Sequence, residues 1–385
     1  MNKMKHAPSR MVWLDCLRLM AGVSMVGLHA SSDTAGQPFP EFEIAERVGP
    51  VLFRAVIYTA RTELFLIISL FLLVMSLDNR ERGYGATIKE QARRLLVPFA
   101  FWVVFFAFYR LIKAGHFSYD GVIWHELSQP SSWASYFLLG NVQYHMHFLP
   151  TLFGLVLFFP LYRVAVDRPA LGAIILVCLF CKREVDVWIW STLKDMMGFE
   201  YLVRGVKLFT YAGYGIVAAS FYGFLKSRPS EQALRQLFWA SIYLALLLFT
   251  VKLVYSHRVI LHGNWQYNFT PAYWADFLMP VALFGICMAA MNANWPPVIS
   301  TMAPYSFGIY LVHPIFLDLL EIALWHQKLS PSLFVALKTG GAILGAAVFV
   351  WMLGKTRSLA WTVGLGRLPA FKRPEFLNRS KLLKE

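Results

Sequence analysis

Apolar runs of about 18–25 residues, the length a helix needs to cross roughly 30 Å of hydrocarbon, recur from one end of this chain to the other. Ten can be read, at about 12–31, 50–77, 95–113, 147–167, 170–190, 205–225, 237–255, 272–291, 303–323 and 333–354. The fifth has the shortest clean stretch, ALGAIILVCLFC, before Lys182 and Arg183 interrupt it. Composition agrees: 15% of the 385 residues are charged, against about 25% in a soluble domain. The expectation is an all-α integral membrane protein of about ten transmembrane helices. No linker or internal repeat divides it, which predicts a cytoplasmic N-terminus (1–11), one transmembrane domain (12–354) and a basic cytoplasmic tail (355–385).

The chain is basic, formally +14, and the position of the charge decides what that means. With the N-terminus inside, 21 of the 36 Lys and Arg fall in inner segments, 7 in outer ones and 8 within the apolar runs. Such asymmetry is the signature of cytoplasmic loops. It predicts an N-in, C-in topology with the tail against anionic lipid, and it argues against a nucleic-acid partner. The first run also has the outline of a signal peptide, but Asp15 and Arg18 interrupt it, so it is expected to be a retained span. All four cysteines lie in apolar runs and are expected to be buried free thiols, with no metal site.

An ionisable side chain near the bilayer centre costs about 2.5–3.5 kcal/mol on insertion scales, which makes each one a functional candidate. The first run holds Asp15, Arg18 and His29. Asp15 and Arg18, at i and i+3, can pair. Arg18 and His29 are eleven residues apart, about three turns plus 20°, so they share a face about 16.5 Å apart along the axis. Gly22 and Met25 lie between them, which suggests a narrow track. The competing reading is a structural ion pair with an interfacial histidine. The second run carries Arg54, Arg61 and Glu63; Arg54 is expected to snorkel, whereas Arg61 and Glu63 lie deeper. The ninth carries Tyr310, His313, Asp318 and Glu321, and His313-Pro314 interrupts its helical ladder. Lys207, Lys252, Asp276 and Lys338 sit nearer run ends, where snorkelling is expected. Two outer segments, SSWASYFLLGNVQYHMHF and HGNWQYNFTPAYW, mix rings with amides and histidines, among them His145, His147 and Trp265. They suit sugar stacking and equally an interfacial aromatic belt.

Five segments, in order, resemble the acyltransferase-3 family of integral membrane O-acyltransferases. LDCLRLMAGVSMVGLHAS carries Arg18 and His29 at the spacing of that family's first-helix signature. RTELFLIISLFLL parallels its phenylalanine-rich second helix, with Leu70 after Ser69 where Ser-Gly is usual. ARRLLVP places Arg94 four residues before Pro98, like the family's entry to the third helix. YHMHFLP is similar to its His-x-Trp-Phe-Leu segment, His147 replacing the aromatic residue, and PYSFGIYLVHP resembles a late family segment. Arg61 and the Arg94–Pro98 spacing look more like the periplasmic-glucan succinyltransferase branch.

The resemblance implies acyl transfer from cytoplasmic acyl-CoA (acetyl-CoA or succinyl-CoA) to a hydroxyl of an extracytoplasmic saccharide, in a bacterial inner membrane. His29 is then the general base, Arg18 holds the donor or neutralises developing charge, and Asp15 orients Arg18. Arg61 and Arg94 are candidates for donor binding; Glu63, His145, His147, Tyr310, His313 and Trp265 for acceptor contacts. No metal or permanently bound cofactor is implied, and polysaccharide synthesis machinery is an expected partner. Two other functions fit a charged intramembrane track: a flippase for a lipid-linked saccharide, and a non-catalytic subunit of a polysaccharide export system.

Overall fold

The computed structural model describes residues 10–79 and 82–368, so most of the basic tail lies outside the described residues. Those described form helices and no strand. In chain order the helices are α1 (Val12–Ala30), α2 (Ile44–Ile57), α3 (Thr62–Asp78), α4 (Tyr84–His116), α5 (Asp120–Ser128), α6 (Pro130–Leu139), α7 (Phe148–Leu157) and α8 (Phe159–Asp167). They continue as α9 (Ile174–Thr192), α10 (Phe199–Lys226), α11 (Glu231–His262), α12 (Thr270–Ala289), α13 (Val298–Met302), α14 (Ser306–Leu324) and α15 (Pro331–Lys355).

All ten apolar runs are helical, but they are not ten uniform spans. Among the described residues eight segments are long and apolar enough to cross a membrane, and nine if α7 and α8 count together. Those two are bent by 65°, where Pro160 enters α8 without an N–H for the ladder. The fifth run, α9, carries Lys182, Arg183, Glu184 and Asp186 in its middle and is too polar to qualify. The second run is broken over Tyr58–Arg61, between α2 and α3. A break at membrane depth frees backbone carbonyls that lipid cannot satisfy. Here Ser24 Oγ of α1 donates to the Ile57 carbonyl at 2.5 Å, so the break is held from the neighbouring helix.

Burial separates an inner set of helices from an outer one. The apolar window of α10 is 72% buried and that of α11 only 17%. Small residues let α10 go inside: a Cβ on Gly215 would lie 2.1 Å from the Tyr162 ring, so only glycine admits this contact. Helix α1 packs against α2, α3, α12, α14 and α15.

The expected snorkelling does not occur at Lys338, Lys252 or Arg54. Lys338 is fully buried; its Nζ donates to Glu321 Oε1 (2.7 Å) and to the Ser32 carbonyl (3.1 Å). Lys113 joins the same network through Asp318 (2.8 Å) and Glu321 (2.5 Å). Lys252 is buried against Asp276. Arg54 donates to the Leu28 carbonyl (2.9 Å) and Ser31 Oγ (3.1 Å) and stacks on Trp265. Opposite charges on facing helices are the reason: inside a bundle a partner is nearer than the interface. The cysteines also depart in part from expectation. All are free, but only Cys287 is buried; Cys181 is exposed, because α9 buries a single stripe through Ile175, Leu179, Lys182 and Ile189.

Candidate active site

Helix α1 places Arg18 and His29 in two different cavities. His29 lines one of about 950 Å³, together with Arg61, Glu63, His145, His147 and Lys207. Arg18 lines the other, about 420 Å³, with Arg94, Arg82, Glu90, Ser69 and Phe307. The stripe between them is not an open track. Gly22 is packed against Ser306 of α14, and Met25 Sδ accepts from Thr62 Oγ1 at 3.2 Å. Phe65, Phe148 and Tyr310, all buried, pack with ring centroids 5.4–6.0 Å apart. Phe65 lines the Arg18 chamber and Phe148 lines both, so this layer of rings stands between them.

The wall of the His29 chamber is set by a turn. Helix α6 ends at Gly140, whose φ of 74° is left-handed, a conformation that only glycine adopts without strain. A Cβ there would also lie 2.6 Å from the His147 backbone. The segment after it therefore folds back tightly, carrying Tyr144, His145 and His147 toward α1 and α14. The Tyr144 ring lies 4.2 Å from the His29 ring, and the His313 ring stacks on His29 at 5.6 Å. His145 is 5.2 Å from His313.

Backbone contacts assign protons within this group. Pro314 has no N–H, so the carbonyl of Tyr310, four residues earlier, loses its helical donor. His313 Nδ1 lies 2.7 Å from that carbonyl; a carbonyl only accepts, so Nδ1 carries the proton and Nε2 bears the lone pair of the neutral ring. By the same argument His145 Nε2, 3.0 Å from the Leu311 carbonyl, is the protonated nitrogen. Burial first, and then the adjacent His313 ring, hold the His145 imidazole well below its ordinary range. His29 Nε2, His145 Nδ1, His147 Nδ1 and His313 Nε2 are buried and have no hydrogen-bond partner among the described residues. Free imidazole nitrogens shielded from water can accept a proton from a hydroxyl, the work of a general base.

Arg61 is held in the His29 chamber between Glu63 (3.1 Å) and Asp276 (3.5 Å), with its guanidinium over the Phe277 and Tyr58 rings. Glu63 also accepts from Tyr211 Oη at 2.8 Å. Arg61 and Arg94 thus belong to different chambers. Asp15 is engaged by Arg10 Nε (2.6 Å) and Ser300 Oγ (3.0 Å), and less closely by Arg18 Nη1 (3.6 Å). Of the expected acceptor contacts, Glu63, His145 and His147 line the His29 chamber. His313 packs behind His29, and Tyr310 belongs to the ring layer, its hydroxyl donating to the His145 carbonyl. Trp265 stands apart, bonded to the Gly36 carbonyl (2.8 Å) and stacked on Arg54.

Sequence reasoning missed part of this chamber. Glu200, Arg204, Lys207 and Tyr211 of α10 all line it. Their spacing of four, three and four residues is a helical face, legible in FEYLVRGVKLFTY. Ending one apolar run at 190 and starting the next at 205 left Glu200 and Arg204 outside any expected helix and hid it. Among the described residues no group of His, Cys, Asp and Glu has the geometry of a metal site.

No curated protein and no solved structure matches the chain. Residues 11–351 match the family described as an acyltransferase domain. With an all-helical bundle of eight to nine apolar helices of spanning length, the chain belongs to the acyltransferase-3 family and is a multi-pass membrane acyltransferase.

Proposed function

We propose that the protein takes an acyl group from acyl-CoA at the Arg18 chamber and transfers it to a saccharide hydroxyl in the His29 chamber. The observation that carries this reading is that one helix places a cation in one cavity and an unengaged imidazole in the other. The positive-inside asymmetry supports a cytoplasmic Arg18 end, where acyl-CoA is made, and a His29 end on the far side of the membrane, which this reading takes to be a bacterial inner membrane. Arg94 and Arg82 face the first chamber and suit donor phosphates.

In the transfer step the acceptor hydroxyl loses its proton to His29 Nε2 as its oxygen attacks the thioester carbonyl. The new C–O bond forms, the C–S bond breaks, and the proton passes to the departing thiolate, giving the O-acyl ester and free CoA. Arg18, about 16.5 Å away along the helix, is too far to meet the oxyanion beside His29, so its work is to hold the donor. The acyl end must pass the Phe65–Phe148–Tyr310 layer, which requires a thin donor arm and a shift of at least one ring. Acetyl and succinyl donors both fit this scheme; Arg61 and Arg94, the residues behind the succinyltransferase likeness, act in it at separate chambers. One feature favours a flippase instead: two chambers meeting at a closed layer also suit alternating access.

Acyl analysis of surface and periplasmic glycans, from cells carrying wild type or His29→Ala at matched expression, tests the reading. Loss of glycan acyl groups in the variant supports it, and unaltered acylation sinks it. Loss of glycan export in a deletion, with acylation intact on what remains, favours the flippase.

A further inference from the structure

The His29 chamber holds more positive charge than its own carboxylates balance. Five cations line it: Arg61, Lys182, Lys194, Arg204 and Lys207. Two of these are committed: Arg61 to Glu63 and Asp276, and Lys182 to Asp186. The two lining carboxylates are also engaged, Glu63 by Arg61 and Tyr211, and Glu200 by Asn141 Nδ2 (2.5 Å). Lys194, Arg204 and Lys207 have no carboxylate partner among the described residues. Lys207 lies over the Tyr211 ring, 5.0 Å from its centroid, and is attracted by Glu63 without forming an ion pair with it.

The three are arranged in depth. Lys194 is exposed, and Arg204 and Lys207 are half-buried on the α10 face that ends at Tyr211, which donates to Glu63 of α3. Of the other cations within the apolar runs, Lys113, Lys252 and Lys338 each have a carboxylate within 3 Å, whereas Arg54 is held by the Leu28 carbonyl, Ser31 Oγ and the Trp265 ring. A cation left unpaired in a partly dehydrated cavity is costly unless an anion arrives from outside. Among the described residues no carboxylate forms an ion pair with any of the three.

We infer that Lys194, Arg204 and Lys207 form a subsite for an oxyanion, a carboxylate or phosphate carried by the acceptor saccharide, so that the enzyme selects acidic over neutral glycans. This deepens the acyl-transfer reading and rests on it. The position argues for the acceptor: the cations begin at the mouth of the His29 chamber, whereas the donor enters past Arg18 and Arg94. A cationic funnel also raises the local concentration of an acidic ligand and makes its capture sensitive to salt.

The test uses the full-length enzyme in detergent and direct binding of four probes: tetragalacturonate, its methyl ester, maltotetraose and a phosphorylated maltotetraose. The wild type should bind at least one acidic probe tenfold or more tightly than its neutral counterpart, with the difference shrinking as salt rises. Arg204→Gln with Lys207→Gln should abolish the difference, and Lys207→Arg should keep it. Acetyl-CoA and succinyl-CoA binding should not change in any variant, which also reports an intact fold. Equal binding of acidic and neutral probes by the wild type would overturn the subsite. A selective loss of succinyl-CoA binding would overturn the acceptor assignment and give the anion to the acyl group. If the acidic preference holds while His29→Ala cells keep their glycan acyl groups, the transfer reading fails and the subsite stands.

Discussion

The two chambers on either side of the ring layer share one helix, yet they differ in the polar groups they offer. Around Arg18 the lining is guanidinium, Arg18, Arg82 and Arg94, with Glu90 paired to Arg82 and Asp15 reaching Arg18 from behind at 3.6 Å. Cations outnumber carboxylates around His29 too, but there imidazole nitrogens are also left without partners among the described residues. Guanidinium groups suit a phosphate-bearing ligand that arrives and leaves intact. Unengaged imidazoles are suited to proton transfer. In the proposed scheme binding and chemistry are separated along one helix by about 16.5 Å, which calls for an extended donor.

That division can be broken residue by residue. The largest effect is expected from His29→Ala, which removes the base and should lower transfer by about 10²–10⁴-fold, the usual contribution of general-base catalysis. Initial rates with purified enzyme and a fixed acceptor measure it. Next comes Gly140→Ala. Its left-handed backbone and the 2.6 Å approach to His147 mean that the added methyl displaces the segment bearing Tyr144, His145 and His147. Strain of about 1–2 kcal/mol from the backbone alone should cut kcat roughly tenfold or more while donor affinity stays; donor titration against turnover separates the two. Arg18→Ala should act the other way. Loss of a charge-assisted contact worth about 1.5–3 kcal/mol raises KM for acyl-CoA roughly 10–100-fold. Arg94→Ala should give the smallest change, confined to donors that carry the nucleotide phosphates. A truncated thioester without them should react equally with wild type and this variant.

How much of this was legible beforehand follows the same division. Arg18 and His29 were readable because both lie on one unbroken helix, where spacing alone fixes the face. The break between α2 and α3 was not, since hydropathy is continuous across Ile44–Asp78 and the group that satisfies the freed carbonyl, Ser24, comes from another helix. Lys338 was misread as snorkelling because its partner Glu321 lies on α14, where Lys113 of α4 joins it. Trp265, expected in a sugar site, is engaged by Arg54 and Gly36, contacts that no local pattern announces. The Arg204–Lys207 face could have been found, had the segment been read as helix. Local periodicity thus gave residues on a single element, and pairings between elements needed the fold.

The central claim, that donor binding and proton transfer occupy different chambers, is tested most directly by calorimetric titration of acyl-CoA into three purified proteins. These are the wild type, His29→Ala, and Arg18→Ala combined with Arg94→Ala. The account predicts unchanged donor affinity in His29→Ala despite lost transfer, and a loss of roughly 100-fold or more in the double variant, whose two contacts are each worth about 1.5–3 kcal/mol. Abolished donor binding in a well-folded His29→Ala, or wild-type affinity in the double variant, would contradict it.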